Sequence, residues 1–568
     1  MVIPDGLTIP TFSQMCYTRF RIAICHTRVN VGGIIMKLTF IGADHEVTGS
    51  CHCLQVCGKT ILIDYGMEQG GNVYENADLP VPVADVDYIL ITHAHIDHTG
   101  LLPLLYARGF KGQIFATQAT CDLCNIMLKD SAHIQEMEAE WKNRKARRAG
   151  KPEVEPLYTV NDAAGVLTHF VPCRYGEIYT LTEGVEFRFT DVGHLLGSAS
   201  IEIWMTEDGV SKKIVFSGDI GNKNKPLIKD PSYVDEADYV VMECTYGDRL
   251  HDRTHEHISE LARILQETLD RGGNLVIPAF AVGRTQEILY FMRKIKEEEI
   301  IKGHDGFQVY VDSPLAVEAT HVFNRNIIDC FDEEAMELVK KGINPITFPG
   351  LKLSVTSDDS KNINFDMTPK VIISAAGMCD AGRIRHHLKH NLWRPECTIL
   401  FAGYQAVGTL GRALIDGAQV VKLFGETIEV EAHIEKLEGL SGHADKEGLL
   451  TWIQAFKKKP FHVFTVHGDD AVCTSFSGLL RSDLELEADA PFSGSVYDLA
   501  EGVWIKQTVG VPIKKETERQ KENRGIFELL LAAGERLMRV IRKNKDCANK
   551  DIKKFTTEVN ALCDKWDM

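Results

Sequence analysis

The chain has 568 residues, enough for two or three domains with cores of their own. Its hydrophobic fraction of 44% and charged fraction of 25% are those of an ordinary globular protein. The net charge of −17 argues against a protein that coats nucleic acid, although an enzyme could still hold a polyanion against bound cations in a cleft.

The start of the chain and its cysteines bear on where the protein works. The first 35 residues lack a basic segment followed by an apolar one, so no secretory signal is visible. Strand-like sequence begins at Met36, and residues 1–35 are either an extension or translated sequence upstream of the real start. The 15 cysteines have no disulfide-framework spacing, and no apolar run reaches the roughly 18 to 20 residues that cross a bilayer. We therefore expect a cytoplasmic protein without a membrane partner.

The first strong motif is ITHAHIDHTG at residues 91–100, which follows the apolar, strand-like run VDYILI. Alternation along an extended segment puts His93 and His95 on one side. Asp97 and His98 follow where the chain turns toward a helix. Two pairs of ligand side chains that point in different directions suit two metal ions better than one.

Ligand-type residues recur elsewhere, each at the end of an apolar strand and most of them beside a glycine. The candidates are Asp64, His194, Asp219, Glu243 and His467. Taken singly, each could be a turn former or a satisfied buried residue, but the repeated arrangement indicates a metal site. Histidine nitrogens with shared carboxylate oxygens favour zinc, with manganese or iron as chemical alternatives.

A long insert at residues 249–430 separates Glu243 from the last histidine segments. Its stretches GGNLVIPAFAVGRTQEILY, FQVYVDSPLAVEAT, PKVIISAAGMCDAGRIRHHL and CTILFAGYQAVGTLGRALIDG have an alternating strand and helix pattern. This pattern predicts a compact domain with a parallel sheet. The chain then returns through LSGHADKEGLLTWI and the strand that precedes His467.

The HAHIDH motif, with His194 and Asp219 downstream, resembles the metallo-β-lactamase superfamily. From Met36 to about Glu501 the chain resembles the β-CASP branch of that superfamily, the nucleases that process RNA or DNA ends. Its segments IPAFAVGRTQE, SAAGMCDAGR and GYQAVGTLGR look like the cleavage-and-polyadenylation nuclease subunit and its prokaryotic relatives. The resemblance implies an α/β fold, namely an αββα sandwich carrying an inserted α/β domain with a parallel sheet. The implied domains are 36–248 and 431–505 for the sandwich, 249–430 for the insert, and 506–568 for a helical tail.

The resemblance also implies a role for each candidate. The residues assigned to two zinc ions are His93, His95 and His194 for one ion, Asp97, His98 and His467 for the other, and Asp219 between them. The implied nucleophile is a hydroxide shared by the two ions. The expected catalytic residues are Asp97, Glu243 and His443, with Glu243 orienting His443 as the general acid. Asp64 is expected to hold a ligand histidine through its other ring nitrogen.

Five positions in the insert are candidates for contact with substrate phosphates. They are Arg284, Ser374, Gly377, Arg383 and Arg412. Arginine suits phosphate through its fork of donors, but an ion pair inside the insert would explain each arginine almost as well. Both interpretations stay open on the sequence.

The implied function is that of a zinc-dependent ribonuclease, with manganese as the alternative metal. It would hydrolyse single-stranded RNA in RNA processing or decay, as an endonuclease with or without 5′-to-3′ exonuclease activity. A hydrolase of a small ester, thioester or cyclic nucleotide is the alternative, and the insert counts against it because a small substrate needs no such lid. DNA as the substrate also stays open. The helical apolar spacing after Lys514 predicts a homodimer contact or packing against the core, with RNA contact as a further alternative.

Overall fold

A computed structural model of the chain describes residues 36–149, 152–251, 256–513 and 548–566, with scattered positions between 534 and 544. The expectation for residues 1–35 and much of the expected tail therefore lie outside the described residues. Among the helices that the structure describes, none is both long and apolar enough to cross a membrane.

Two mixed sheets make up the first domain. The first sheet contains β1 (Met36–Gly42), β2 (Cys51–Val56), β3 (Lys59–Ile63), β4 (Tyr88–Leu90), β5 (Gln113–Thr117), β6 (Phe170–Cys173), β22 (Val496–Asp498) and β23 (Val503–Lys506), in the order β23-β22-β1-β2-β3-β4-β5-β6. The second contains β7 (Ile178–Thr182), β8 (Val185–Asp191), β9 (Ala199–Glu207), β10 (Val210–Phe216), β11 (Tyr239–Glu243), β20 (His462–Val466) and β21 (Ala488–Asp489), in the order β21-β20-β11-β10-β9-β8-β7.

The two sheets pack face to face, and helices cover their outer faces. Alternating apolar residues of both sheets, such as Phe40, Phe187 and Phe464, share one buried core between them. The first sheet is covered by α1 (Ile96–Thr99), α2 (Leu102–Ala107), α3 (Gln118–Ala149) and α4 (Val160–Val166), and the second by α13 (Lys446–Gln454) and α14 (Asp470–Asp483). This is the predicted αββα sandwich.

The insert is a second α/β unit. Its sheet contains β12 (Leu275–Pro278), β13 (Gln308–Asp312), β14 (Leu351–Ser354), β15 (Lys370–Ser374), β16 (Thr398–Phe401) and β19 (His433–Lys436), in the order β14-β13-β15-β12-β16-β19. Every described strand pair in this sheet is parallel, as predicted.

The helices of the insert lie between or after these strands. They are α5 (His257–Asp270), α6 (Arg284–Glu297), α7 (Pro314–Arg325), α8 (Ile327–Cys330), α9 (Glu333–Lys340), α10 (Ser357–Phe365), α11 (Ile384–Asn391) and α12 (Leu410–Ile415). A two-stranded ribbon of β17 (Val420–Leu423) and β18 (Glu426–Glu429) precedes β19.

Two expected domain boundaries differ from the structure. The return to the sandwich was expected at residue 431, but β19 pairs with β16, so the insert extends to Lys436. The tail was expected to be helical from residue 506, but Pro512 forms a bridge with Tyr74, which ties this stretch to the first domain. Both segments are short and carry weak periodicity, so only their tertiary pairing reveals where they belong. Beyond them, the structure describes a helix, α15 (Asn549–Trp566), and none of its residues is buried.

Candidate metal centre and active site

The carboxyl ends of several strands meet at one edge of the sandwich, where the ligand-type residues lie. β3 and β4 are parallel neighbours, as are β10 and β11, and β11 and β20. Parallel neighbours end at the same edge of a sheet, so residues that follow them are brought together. Glu243, for example, pairs in register with Val466, and His467 follows one residue later.

One group of ligand atoms comes from His93, His95, His194 and Asp219. Nε2 of His93 lies 3.0 Å from Nδ1 of His95, which lies 3.2 Å from Nε2 of His194. Oδ2 of Asp219 lies 3.3 Å from Nε2 of His93. One ligand atom from each residue falls within 4.8 Å of all the others, so a single metal ion can bind all four.

A second group comes from Asp97, His98 and His467. Nε2 of His98 lies 3.2 Å from Nε2 of His467, which lies 3.7 Å from Oδ2 of Asp97. Oδ1 of Asp219 lies 3.3 Å from His98 and 3.6 Å from His467. Asp219 therefore turns one oxygen toward each group, the position of a bridging ligand.

The electrostatics of the cluster fit a metal cofactor. Burial lowers the pKa of His95 to about 3 and also lowers the pKa of His93 and His194, so these rings are neutral, the form that binds metal. Burial would raise the pKa of Asp219, but the neighbouring rings, His467 first, outweigh it and hold that pKa well below its usual range. Oδ1 of Asp219 and Nδ1 of His194 are buried without a hydrogen-bond partner among the described residues, and the former is aimed at the second group. The neutral imidazoles of His93, His95 and His194 and the ionised Asp219 form a donor set that zinc or a similar divalent ion satisfies. Burial would also lower the pKa of His98, but the Asp219 and Asp64 carboxylates outweigh it and raise that pKa, the effect that a bound cation would replace.

Asp64 lies behind the second group and contacts His98. Its Oδ2 accepts a hydrogen bond of 2.7 Å from Nδ1 of His98, which leaves Nε2 of that ring for a metal. Thr92 donates to the same carboxylate from both its backbone nitrogen and its hydroxyl, at 2.8 and 2.7 Å. The pair fixes the ring plane of His98.

A histidine–glutamate pair lies beside the first group. Nδ1 of His443 lies 3.1 Å from Oε1 of Glu243, and its Nε2 faces the cluster, 3.9 Å from Oδ2 of Asp219. Burial would lower the pKa of His443, but the Glu243 and Asp219 carboxylates outweigh it and raise that pKa to about 9. The side chain of His443 is 20% exposed, whereas those of His93, His98, His194 and His467 are at most 3% exposed. His443 is therefore a protonated group at the open side of the centre.

The five phosphate candidates do not converge on the cluster as free donors. Arg383 donates to Oδ1 of Asp312 at 2.7 Å, and Arg412 donates to Asp416 one turn along α12. Ser374 donates to the backbone oxygen of Asp312 at 2.7 Å.

The other two candidates lie against the interior of the protein. Arg284 donates to Glu287 and to the backbone oxygen of Leu440. Gly377 packs so closely on Phe280 that a Cβ there would lie 3.1 Å from the Phe280 backbone nitrogen. For the arginines, the ion-pair interpretation is the one that the geometry supports.

Three residues around the centre were missed from the sequence. They are Thr92, Thr245 and Lys225. Thr245 places its hydroxyl 3.0 Å from Nδ1 of His467, and Lys225 donates to the backbone oxygen of His194 at 2.8 Å. Thr92 lies one residue before His93, and Thr245 lies two residues after Glu243, so closeness in sequence to a candidate residue could have indicated both. No comparable sequence signal indicates Lys225.

Family models match three successive parts of the chain. The model for the metallo-beta-lactamase superfamily matches residues 46–279, and that for the Beta-Casp domain matches residues 285–414. The model for the Zn-dependent metallo-hydrolase RNA specificity domain matches residues 427–491. These matches confirm the predicted superfamily and branch.

Named relatives agree with the family models. Ribonuclease TTHA0252 of Thermus thermophilus is 36% identical over 448 residues, which cover 78% of this chain and 96% of that protein. The transcription termination factors FttA of Methanosarcina mazei and Methanocaldococcus jannaschii are 30% and 28% identical, over 70% and 71% of their own lengths and 80% and 81% of this chain. The chain therefore belongs to the β-CASP ribonuclease family of the metallo-β-lactamase superfamily and is a metal-dependent hydrolase.

Proposed function

We propose that the protein hydrolyses the phosphodiester bonds of single-stranded RNA with two zinc ions. The carrying observation is the convergence of two ligand groups on the two oxygens of Asp219, with the His443–Glu243 pair beside them. Zinc is the preferred ion because the set combines several imidazoles with few carboxylates, and manganese is the alternative. When bound, the two ions would supply an activated water and stabilise negative charge on the phosphate.

The chain's own residues have distinct parts in this proposal. Asp97 and Asp219 supply the anionic oxygens of the centre, and Asp64 keeps His98 in the ligand tautomer. His443 donates its Nε2 proton to the departing 3′ oxygen, since Nδ1 is engaged by Glu243 and the raised pKa keeps the ring protonated at neutral pH. The products carry a 5′-phosphate and a 3′-hydroxyl.

RNA is the proposed substrate for two reasons. Residues 427–491 match an RNA specificity domain, and a relative that this chain covers almost entirely is named a ribonuclease. The insert lies against the loops that carry His194 and His443, with Gly283 beside Leu195 and Arg284 bound to the Leu440 backbone, and we propose that the substrate enters between the two domains. A flexible single strand meets this requirement more readily than a stiff duplex. We propose endonuclease activity, with or without 5′-to-3′ trimming, in the cytoplasm.

The test uses one single-stranded RNA labelled separately at its 5′ and 3′ ends. Zinc-loaded protein should release internal fragments from both labels, or short products from the 5′ label where trimming dominates. His443→Ala should lower the rate by a factor of about 10² to 10⁴ while two zinc ions stay bound. The matched control is His304→Ala. His304 lies on the insert and its ring pairs only with Asp270 among the described contacts. The control variant should therefore cleave RNA at the wild-type rate. Intact RNA with zinc-loaded wild-type protein would overturn the proposal.

A further inference from the structure

A buried carboxylate and two largely buried cations join the insert to the first domain. Lys225 belongs to the first domain, and Arg284 and Glu287 lie in the first turn of α6. Nζ of Lys225 lies 3.2 Å from Oε1 of Glu287, and Arg284 pairs with Oε2 of the same carboxylate. The side chains are 12%, 7% and 12% exposed for Lys225, Glu287 and Arg284. One carboxylate thus binds two cations, and its pair with Lys225 crosses the domain boundary.

Each cation of this network also holds the backbone of a loop in the active site. Nζ of Lys225 donates to the backbone oxygen of His194 at 2.8 Å, and His194 belongs to the first ligand group. Arg284 donates to the backbone oxygen of Leu440, three residues before His443. The two loops also meet each other, since the ring centroids of His194 and His443 lie 4.5 Å apart.

Apolar packing at the same place presses the His194 loop against the insert. Leu195 and Leu196 share a buried core with Ala281 and Val282, which precede α6. A Cβ added at Gly283 would lie 3.1 Å from Cδ1 of Leu195, so the contact leaves little room. Removing one partner of a buried ion pair leaves an uncompensated charge, so the three residues of the network depend on one another. The apolar contact and the ion-pair network therefore both hold the His194 loop against the insert.

We propose that Lys225, Glu287 and Arg284 form a positioning network through which the insert sets the geometry of His194 and His443. None of the three touches the reacting atoms. The packing of the insert on the first domain and the assembly of the metal centre are coupled, because the Glu287 carboxylate binds both Lys225 and Arg284. The inference rests on the proposed function, and it gives Arg284 a structural role in place of the expected phosphate contact.

The test compares Glu287→Gln and Lys225→Met with wild type, using Zn²⁺ alone as the ligand. Zinc affinity is measured by competition with a chromogenic zinc chelator. In both variants the dissociation constant of the more weakly bound ion should rise about tenfold or more, because the loss of a group that orients a metal ligand usually has this effect. On the labelled RNA, kcat should fall while KM stays within about twofold of wild type, because orientation rather than substrate binding is lost. The matched control is Glu297→Gln, which removes a carboxylate from an arginine on the same helix but far along it.

Further variants separate positioning from folding. Lys225→Arg keeps a cation with donors at the site and should restore most of the zinc affinity that Lys225→Met loses. A double variant with Glu287→Gln and Lys225→Met should bind zinc no more weakly than the weaker-binding single variant, because both changes act on one network. Zinc affinity and kcat within twofold of wild type for both Glu287→Gln and Lys225→Met would overturn the inference. A wild-type protein that binds no zinc would instead overturn the proposed function, so the two failures are distinguishable.

Discussion

Asp64 has no place in either ligand group, yet its carboxylate determines which nitrogen of His98 faces the metal site. It binds the ring at 2.7 Å and is itself held by two bonds from Thr92. Glu243 acts on His443 in the same way, at 3.1 Å. At the scale of single residues, the centre is therefore built from pairs in which a carboxylate fixes an imidazole.

Replacing Asp64 by asparagine should weaken the metal centre. The amide cannot favour the Nδ1–H tautomer of His98 as a carboxylate does, so we expect zinc affinity to fall about 10- to 100-fold. Metal competition on purified protein checks this. The matched control is Asp87→Asn, since Asp87 binds Lys59 and the Thr60 backbone on the same sheet, away from the ligands. Equal zinc affinity in both variants would contradict the role of Asp64.

The pH dependence of cleavage should change when Glu243 becomes glutamine. A general acid works only while protonated, so activity falls as pH rises through the pKa of His443, which lies at about 9. Without the Glu243 carboxylate, which raises that pKa, the alkaline limb of kcat should move to lower pH. Rates measured from pH 6 to 10 would detect the shift. An unmoved alkaline limb would assign the proton donor elsewhere.

At the scale of elements, strands that end at a common edge set the position of every ligand. The same device operates in the insert, where Asp312 ends β13 and is fully buried. Its carboxylate accepts bonds from Ser354, Ser360, Arg383 and His387 at 2.5 to 2.7 Å. The polar residues at this edge thus hold the insert together.

Arg383 and Arg412 should differ in their effect on stability. Arg383→Gln removes a charged donor from the buried Asp312 and should cost about 1.5–3 kcal/mol of unfolding free energy. Arg412→Gln breaks a surface pair, of which the arginine side chain is 39% exposed, and should cost less than about 1 kcal/mol. Urea unfolding measures both. A raised KM for RNA with unchanged stability in Arg383→Gln would restore the phosphate interpretation.

The insert should also lose stability in acid. Burial would raise the pKa of Asp312, but its hydrogen bonds, that from His387 first, outweigh burial and lower this pKa below its usual range. A depressed pKa contributes stability that is present above the unfolded value of about 3.9 and is lost as pH falls below it. Unfolding midpoints between pH 6 and 3 should therefore fall less steeply for Asp312→Asn than for wild type.

At the scale of the whole molecule, the candidate metal centre joins distant parts of the chain, and the insert packs against two of its loops. Removing metal with a strong chelator should lower the unfolding temperature, and zinc should restore it. Each ion contributes about 2.7 kcal/mol at a concentration 100 times its dissociation constant. Magnesium should restore little, because imidazoles are poor ligands for it. Differential scanning calorimetry tests this, and an unchanged melting curve on chelation would contradict it.

The tail carries a prediction about assembly. In α15 the apolar residues Ile552, Phe555, Val559 and Leu562 recur at helical spacing, and none is buried. We expect this stripe to pair with a second copy, so the full chain should sediment as a dimer and a chain ending at Ile513 as a monomer. Monomeric full-length protein at micromolar concentration would remove the homodimer prediction.

Much of the centre could be predicted from the sequence because its signals are local. His93, His95, Asp97 and His98 lie within six residues after one apolar strand, and each later ligand follows within three residues of a strand of its own. The alternation of strands and helices likewise predicted a parallel sheet in the insert, since hydrophobic periodicity is a property of short segments. These features do not depend on which distant residues meet.

Only the tertiary structure decided the partners of residues far apart in the chain. Glu243 and His443 meet because Gly221, in the loop after β10, forms a bridge with His443, and the neighbouring Ile220 backbone donates to the Glu243 carboxylate. The same loop places Asp219 between the two ligand groups. Arg284 could bind phosphate or an acid, and the choice depends on Glu287, Lys225 and Leu440, which come from three separate segments. The extent of the insert depended on the pairing of β19 for the same reason. A strand's apolar pattern specifies that it pairs, but the energy of long-range contacts selects its neighbour.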